Sequence, residues 1–288
     1  MKNNNIKRPI LAENIYLTKS EKNILDFINM YELNEFYLTQ AELAKASNSS
    51  EASISRFIRK YGLKDYRSFI ASINAKLSNF SLLYPIEYDN QDIPNPFTVI
   101  HSSYKYAIDS LNNNEVIKKC SEAARIINSA TNVLVYGSGS SQRISIDLVA
   151  NLIKLGKPVV YNSDFHIFFP ALANVSNRDV LIVFSNNLIS SESNFVISNA
   201  KKRGTKVIAI TSKHNEKTIA NVDVLIQYQK IHNASLLVPV SSKVSQMLIA
   251  NMLFETLIND YKDNYAKLQK SSKLIDEWAN IDKIHSEK

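Results

Sequence analysis

The chain has 288 residues, enough for two ordinary domains or one large one, and its 45% hydrophobic and 21% charged residues are typical of globular rather than disordered proteins. It contains only 5 glycines and 1 cysteine, which excludes collagen-like and glycine-rich linker proteins, an internal disulfide and a zinc site of the Cys-x-x-Cys type. A net charge of +7, from 34 Lys and Arg against 27 Asp and Glu, permits a polyanionic partner but is too small to demand one.

The N-terminal segment contains no apolar stretch long enough for a secretory signal, and no run of about 18 apolar residues could form a membrane helix. The single cysteine, Cys120, lies in a stretch that we expect to be helical, where it packs rather than reacts. These features favour a cytoplasmic protein without a membrane contact. We also expect no metal site and no cofactor.

The first part of the chain, residues 20–77, alternates amphipathic helical stretches with short polar breaks and has no period-2 strand pattern. Within it, residues 39–62 predict a short helix, a turn with Ser50 as N-cap, and a second helix that ends at Gly62. This is the layout of a helix-turn-helix. We assign Tyr37, Leu38, Leu43 and Phe69 to the core of this module.

The second helix of this pair has two unlike faces at 100° per residue. The apolar face carries Ile54, Phe57, Ile58 and Tyr61. The opposite face is small and basic, with Ala52, Arg56 and Arg59 flanked by Ser53, Ser55 and Lys60. Small residues let a helix approach the DNA major groove, and Arg pairs with guanine edges or phosphates. The predicted DNA-binding residues are Gln40, Ser50, Ala52, Ser53, Ser55, Arg56, Arg59, Lys60 and Lys64.

A solvated helix face is the alternative interpretation of these charges. However, residues 45–76 contain seven basic residues and only two acidic ones, Glu51 and Asp65, and this clustering favours a nucleic-acid contact.

The same residues resemble a known family. The stretches LTKSEKNILDFI (17–28) and LTQAELAKASNSSEASISRFIRKYGLKDYRSFIASI (38–73) resemble the N-terminal domain of the RpiR family of bacterial transcription regulators. The recurring positions are Ser50, Ala52, Ile54, Arg56-Phe57 and Gly62. The resemblance implies a helix-turn-helix domain over residues 1–80 that binds a double-stranded DNA operator.

Three prolines, Pro85, Pro94 and Pro96, then fall in a polar run and indicate a linker. We place a linker and a connecting helix at 81–123.

Five short apolar, β-branched runs follow, with helical stretches between them; they are VLVY (133–136), PVVY (158–161), DVLIVF (179–184), KVIAI (206–210) and DVLIQ (223–227). The fold class is therefore multidomain: an all-α helix-turn-helix domain followed by an α/β domain with a five-stranded parallel sheet flanked by helices. We place the α/β domain at 124–264 and a helical tail at 265–288.

Two polar loops follow the first and third predicted strands. The first contains Gly137, Ser138, Gly139, Ser140 and Ser141, and a glycine-containing turn into a helix N-terminus can bind an anion. The second contains Ser185, Asn186, Asn187 and Ser190. Since ligands bind outside the carboxyl ends of parallel strands, we expect both loops to form one ligand site.

These loops and the stretches NSDFHIFFPALANVSNRDVLIVFS, KKRGTKVIAIT and SSKVSQMLIANMLFETLI resemble the SIS (sugar isomerase) domain, which implies a phosphosugar ligand. One position differs, because Leu188 stands where the family's second loop has glycine. If that position required positive φ, leucine would be disfavoured. Either this loop has another shape, or the effector is altered or lost.

Catalysis is the competing interpretation, since SIS domains also occur in phosphosugar isomerases. The candidate acids and bases are Glu192, His166, His214 and His232. We expect Glu192 to stabilise a helix N-terminus, His166 to be partly buried, and the other two histidines to be solvated in loops. No set of nucleophile, base and orienting residue emerges. The sequence therefore predicts a sugar-phosphate-responsive transcription regulator that is not an enzyme and forms a homodimer or a dimer of dimers; a phosphosugar isomerase and a DNA-binding protein with a ligand-free dimerisation scaffold stay open as alternatives.

Overall fold

The computed structural model of the chain describes residues 8, 10–11, 15–31, 33–84, 96–212, 216–229 and 240–286. These residues form two compact units, and the first comprises Met1–Asp109 and Gln229–Ser241 while the second comprises Ser110–Tyr228 and Ser242–Lys288. Two of the three prolines of the predicted linker, Pro85 and Pro94, lie outside the described residues.

The first unit is all-helical, as predicted. Its helices are α1 (Lys19–Asn29), α2 (Gln40–Ala46), α3 (Glu51–Lys60), α4 (Tyr66–Leu83) and α5 (Pro96–Asp109). Capping boxes begin α1 and α2, where a threonine and the glutamate three residues later satisfy each other's backbone N–H groups. The core of the unit includes Ile24, Leu43, Phe57 and Phe69, which have no exposed surface.

The turn between α2 and α3 confirms the predicted helix-turn-helix. The Ser50 hydroxyl accepts a hydrogen bond from the Ser53 backbone N–H at 3.2 Å and caps α3. Gly62 follows α3 with φ of +75°. The turn itself contains Asn48 with φ of 50°, a conformation that asparagine tolerates better than most residues with a Cβ. The chain therefore makes this turn without a glycine.

The second unit is an α/β sandwich. Its elements are α6 (Asn114–Ser129), β1 (Val133–Gly137), α7 (Ser140–Lys154), β2 (Val159–Val160), α8 (Phe165–Ala173), β3 (Val180–Phe184), α9 (Ser191–Lys202), β4 (Lys206–Thr211), α10 (Glu216–Ile219), β5 (Val224–Gln227), α11 (Val240–Asp260) and α12 (Lys262–Ser286). The five strands pair in parallel in the order β2-β1-β3-β4-β5, which confirms the predicted sheet. The edge strand β2 has two residues instead of the predicted four.

Helices cover both faces of this sheet, and every residue of β1 and β3 is therefore buried. Val133 and Val135 point into one hydrophobic cluster and Leu134 and Tyr136 into the other. Strand β1 lies between β2 and β3, so the connections that follow β1 and β2 run to opposite sides of β1. The carboxyl end of such a strand is where open parallel sheets bind ligands.

Cys120 packs in the core on α6, where it is 1% exposed. Burial raises the pKa of its thiol to about 12, so the unreactive neutral form dominates at neutral pH. In the part of the chain that the structure describes, every helix is too short or too polar to cross a membrane.

Candidate functional site

Helix α3 presents the two faces that the sequence predicts. Ile54 and Phe57 are fully buried and Ile58 is 2% exposed. Arg56 and Arg59 are exposed on the other side. The exposed residues Ala52, Lys45, Lys64 and Arg67 lie on the same helical unit. The apolar face of α3 is thus buried in the core of its unit, while two guanidinium groups face solvent.

Ser53 corrects the prediction that it flanks the exposed face, because it is only 6% exposed. Its hydroxyl lies 2.9 Å from the Ser50 hydroxyl and accepts a hydrogen bond from the Arg56 guanidinium at 3.1 Å. Ser53 therefore positions the Arg56 side chain and does not itself project towards a partner.

Lys60 also differs from its predicted place on the free basic face. Its ammonium group lies 2.7 Å from the Glu21 carboxylate of α1 and donates to the Tyr16 carbonyl at 3.3 Å. The Glu21 side chain is 3% exposed. Burial alone would raise the pKa of Glu21, but the hydrogen bonds from Lys60 and Thr18 hold it below its ordinary value. Lys60 thus joins α3 to α1.

Replacing Lys60 by Met should therefore destabilise the fold by about 1–3 kcal/mol at pH 7, because the buried Glu21 carboxylate loses its cation. A lowered carboxyl pKa stabilises the folded state above the ordinary pKa, and this stabilisation is lost as pH falls through the folded-state value. The loss caused by Lys60→Met should hence shrink at about pH 3. Urea unfolding at both pH values measures this, with Lys22→Met, an exposed lysine of α1, as the control. Equal stability of wild type and Lys60→Met at pH 7 would refute the pairing.

The start of α2 is tied to α3 through Gln40. Its side-chain amide donates to the Glu51 carbonyl at 3.0 Å and to the Ser55 hydroxyl at 3.1 Å. The core prediction holds for Leu43 and Phe69, which are fully buried, but it is wrong for Tyr37, which is 70% exposed. The ring of Tyr37 lies on the surface just before α2.

In the second unit, both predicted ligand loops leave neighbouring strands at the same level, because Gly137 of β1 is in register with Phe184 of β3. The first loop enters α7 through Gly139, whose φ of 58° and ψ of −125° are accessible only to glycine without strain. Among the described residues no side chain caps α7. The Ser141 N–H donates to the Ser138 carbonyl at 3.2 Å, and the positive end of the helix dipole lies at the first loop, where it favours an anion.

The serines of the first loop surround this helix N-terminus. Ser138 is exposed, Ser140 is half-buried and Ser141 is buried. Gly137 permits the close packing beneath them, since a Cβ there would lie 2.9 Å from the Ser145 hydroxyl. None of the three serine hydroxyls is the N-cap of α7, so plain helix capping does not account for them.

The second loop is organised differently, because Ser190 caps its own helix. The Ser190 hydroxyl accepts from the Ser193 backbone N–H at 3.2 Å, and the Ser185 hydroxyl donates to the Asn187 carbonyl at 2.8 Å. Both hydroxyls thus serve the loop itself. Within the described residues, the side-chain oxygen of Asn187 is buried without a hydrogen-bond partner.

Asn186 is the centre of a buried polar network that sequence reasoning missed. Its side-chain oxygen accepts hydrogen bonds from the hydroxyls of Ser212 at 3.1 Å, Tyr228 at 3.3 Å and Ser242 at 3.0 Å. The Gln246 amide donates to the Tyr228 hydroxyl at 2.9 Å. These three residues and Gln246 are each at most 8% exposed. The Asn186 side chain therefore holds the second loop against the end of β5 and the first turns of α11.

Leu188 fits the second loop without backbone strain. Its φ is not positive, and its side chain is fully buried in the cluster that contains Tyr136 and Val183. This position therefore does not require positive φ in this chain, and the Leu188 side chain packs into the core. The burial of Leu188 contributes to the position of the loop.

Titratable side chains near the loops are few. His166 is exposed, so the expectation of a partly buried histidine is wrong. Hydrogen bonds from its own backbone N–H and from the Ser190 and Ser191 hydroxyls hold the pKa of Glu192 below its ordinary value. His214 and His232 lie outside the described residues. In the described ranges, no group of three His, Cys, Asp or Glu side chains is placed to hold a metal ion.

Comparisons with protein families match both units. Residues 5–80 match the helix-turn-helix domain of the rpiR family, and residues 126–256 match the SIS domain. An uncharacterized HTH-type transcriptional regulator of Clostridium perfringens is 24% identical over 252 residues, which cover 84% of this chain and 88% of that protein. The HTH-type transcriptional regulator HexR of Escherichia coli is 22% identical over 254 residues, covering 86% of each chain.

Solved structures share the fold. The NanR protein of Vibrio vulnificus, complexed with ManNAc-6P, superposes with a TM-score of 0.56 at 20% identity and covers 91% of this chain and 94% of that one. The sugar isomerase domain of an RpiR transcription factor from Sphaerobacter thermophilus superposes with a TM-score of 0.50 at 19% identity and covers 62% of this chain and 96% of that one.

Proposed function

Since the chain belongs to the RpiR family of helix-turn-helix proteins and carries a SIS domain, we propose that it is a DNA-binding transcriptional regulator of sugar metabolism that senses a phosphorylated sugar. The observation that carries this proposal is helix α3, which buries its apolar face and exposes Arg56 and Arg59. A solvent-facing pair of guanidinium groups on a helix-turn-helix suits a double-stranded DNA operator. Such a protein acts where the chromosome is, in the cytoplasm.

For DNA binding, we propose that α3 enters the major groove. Ala52 and Ser55 would let its backbone approach the bases, while Arg56 and Arg59 would contact guanine edges or phosphates. Ser50, Gln40 and Lys64 lie at the borders of this face and would contact the DNA backbone. Ser53 and Lys60 would act indirectly, since their side chains are bonded within the domain.

For the effector, we propose that the N-terminus of α7, which no side chain caps, binds a phosphate. The backbone of Gly137 and Gly139 and the hydroxyls of Ser138, Ser140 and Ser141 would surround it. The second loop, with Ser185, Asn186, Asn187 and Ser190, would face the sugar. The unsatisfied oxygen of Asn187 could accept a hydrogen bond from a sugar hydroxyl. The complex of NanR with ManNAc-6P, in a chain of the same fold, supports a ligand of this class.

An isomerase would need a base with a pKa near neutrality to abstract a proton next to the carbonyl. Glu192 does not meet this need, because its lowered pKa makes it a weak base. We expect no turnover of any aldose or amino-sugar phosphate, and we expect Glu192→Gln to leave effector affinity within about twofold. Nuclear magnetic resonance of each sugar phosphate incubated with protein measures the turnover. Conversion of one of them by wild type but not by Glu192→Gln, together with absence of DNA binding, would establish the enzyme instead.

Thermal unfolding of the protein in the presence of each of the same sugar phosphates distinguishes a sensor from a ligand-free scaffold. A ligand at 100 times its dissociation constant adds about 2.7 kcal/mol to the stability of the folded state. Stabilisation by at least one phosphosugar, but not by its unphosphorylated form, is the result that the sensor predicts. If none of the sugar phosphates stabilised the protein, the ligand-free scaffold would be favoured.

For regulation, we propose that the SIS domain forms a homodimer, or a dimer of dimers, and that the effector changes the spacing of two DNA-binding domains. This requires the ligand to bind one arrangement more tightly than the other. The domain limits that we propose are 1–80 for DNA binding, 81–123 for the linker and connecting helix, 124–264 for the SIS domain and 265–288 for the tail.

A further inference from the structure

The second unit of the chain is interrupted between Tyr228, where its first part ends, and Ser242, where it resumes. The hydroxyls of both residues donate to the side-chain oxygen of Asn186, at 3.3 Å and 3.0 Å. Tyr228 is 1% exposed and Ser242 is 4% exposed, so water does not compete for these hydrogen bonds. One amide of the second loop therefore holds both points at which the chain passes between the units.

The residue after Tyr228 is held by a helix of the first unit. The Tyr106 hydroxyl of α5 donates to the side-chain oxygen of Gln229 at 2.7 Å, and both of these residues belong to the first unit. Tyr228 and Gln229 are consecutive, and the distance between consecutive Cα atoms is fixed by covalent geometry. A displacement of Tyr228 therefore displaces Gln229, and one peptide bond joins the hydrogen bond to Asn186 with the hydrogen bond from Tyr106.

Within the first unit, Tyr106 contacts the helix that packs against α3. Its ring lies 5.8 Å from the Phe80 ring and 5.1 Å from the Tyr84 ring, near the C-terminal end of α4. At the other end of α4, the Phe69 ring lies 6.3 Å from the Phe57 ring of α3. Packed cores change between discrete arrangements and do not deform continuously. A change at Tyr106 therefore reaches the DNA-binding helix through a single intervening helix.

The second loop connects Asn186 to the proposed effector. Asn187, whose side-chain oxygen is the proposed acceptor for a sugar hydroxyl, directly follows Asn186. The Ser185 hydroxyl donates to the Asn187 carbonyl at 2.8 Å and so ties the backbone of these three residues together. A sugar hydroxyl bound to Asn187 therefore acts on the same short piece of backbone that carries the Asn186 side chain.

We propose that Tyr228 and Gln229 form the link that transmits effector binding from the second loop to the DNA-binding unit. In one arrangement of the loop, Asn186 holds Tyr228 where Gln229 can accept from Tyr106, and in the other arrangement one of these two hydrogen bonds is broken. The effector binds the two arrangements with unequal affinity, and bound DNA changes the effector affinity by the same factor. This coupling rests on the proposed function, since it needs an effector at the second loop.

Two variants that each remove one oxygen atom break the link at its two ends. Tyr228→Phe loses the hydroxyl that binds Asn186, and Tyr106→Phe loses the hydroxyl that binds Gln229. Tyr84→Phe is the matched control, because its hydroxyl donates to Asp109 at 2.9 Å while its ring packs against that of Tyr106. All three variants keep their rings in place, so the packing of the core is preserved.

The first measurement compares DNA affinity with and without a sugar phosphate. Fluorescence anisotropy of the full chain on a mixed-sequence duplex is measured with ManNAc-6P, glucosamine 6-phosphate and glucose 6-phosphate as probes. A probe that changes the dissociation constant of wild type and Tyr84→Phe at least about fivefold should change that of Tyr106→Phe and Tyr228→Phe less than about twofold. If Tyr106→Phe keeps the wild-type factor, the link is refuted and the proposed function stands.

Hydrogen exchange of the full chain, without DNA or effector, tests the link independently of the proposed function. Tyr106→Phe should speed exchange of the amides of residues 185–190 at least about threefold, and Tyr84→Phe should leave it unchanged. If no probe changes the DNA affinity of wild type, the proposed sensor fails while this measurement still decides on the link. Equal exchange of residues 185–190 in wild type and Tyr106→Phe would reject it.

Discussion

Replacing both Arg56 and Arg59 by alanine should weaken binding to a mixed-sequence DNA duplex at least about tenfold near 0.1 M salt. Each guanidinium that neutralises a phosphate releases counterions, so the slope of log affinity against log salt should fall by about 0.9 per lost contact, or about 2 in total. Fluorescence anisotropy across a salt series measures both quantities. Both side chains are exposed, so the fold should keep its stability within about 0.5 kcal/mol.

Lys60→Met is the informative control for this experiment, because it removes a positive charge from the same helix. Since Lys60 is bound to Glu21, its loss should lower stability and leave the salt slope unchanged. The double arginine variant should thus change the salt slope and not the stability, whereas Lys60→Met should change the stability and not the slope. A double arginine variant with the wild-type slope would contradict the assignment of α3 as the DNA-contacting helix.

Replacing Gly139 by alanine should remove most of the stabilisation that a phosphosugar gives. At φ of 58° and ψ of −125° an alanine is strained by about 1–3 kcal/mol, so the first loop must change shape and turn the N–H groups of α7 away from the phosphate. We expect the gain of about 2.7 kcal/mol, measured for wild type at 100 times its dissociation constant, to fall below about 1 kcal/mol. Thermal unfolding with and without the ligand gives these values.

Gly156→Ala is the matched control, because Gly156 follows the other end of α7 with φ of 65°. Its alanine variant should lose a similar amount of stability and keep the full gain from the ligand. A Gly139→Ala protein that keeps the full gain, or a Gly156→Ala protein that loses it, would place the phosphate elsewhere.

The sequence predicted the elements well where one local pattern decides the structure. The runs 133–136 and 180–184 are apolar throughout because both faces of a parallel sheet are buried, and each forms a strand. Ser50 and Gly62 mark the ends of α3 through local backbone chemistry. Such signals need no knowledge of the rest of the chain.

The sequence predictions failed or missed contacts where residues far apart in the chain determine the position of a side chain. The pairing of Lys60 with Glu21 joins residues 39 apart, and Asn186 meets Tyr228 and Ser242 at separations of 42 and 56. No spacing rule within one helix or loop can reveal such partners. For Leu188 the sequence left two alternatives open, because its fit depends on the buried cluster that it joins with Tyr136 and Val183.

The two-residue strand β2 has a consequence for how copies of this protein can meet. It forms one edge of the sheet, and Pro158 before it accepts from the Val133 N–H at 2.8 Å but has no N–H of its own to offer. An edge this short gives a foreign strand little backbone to pair with, which guards the sheet against aggregation through edge-to-edge extension.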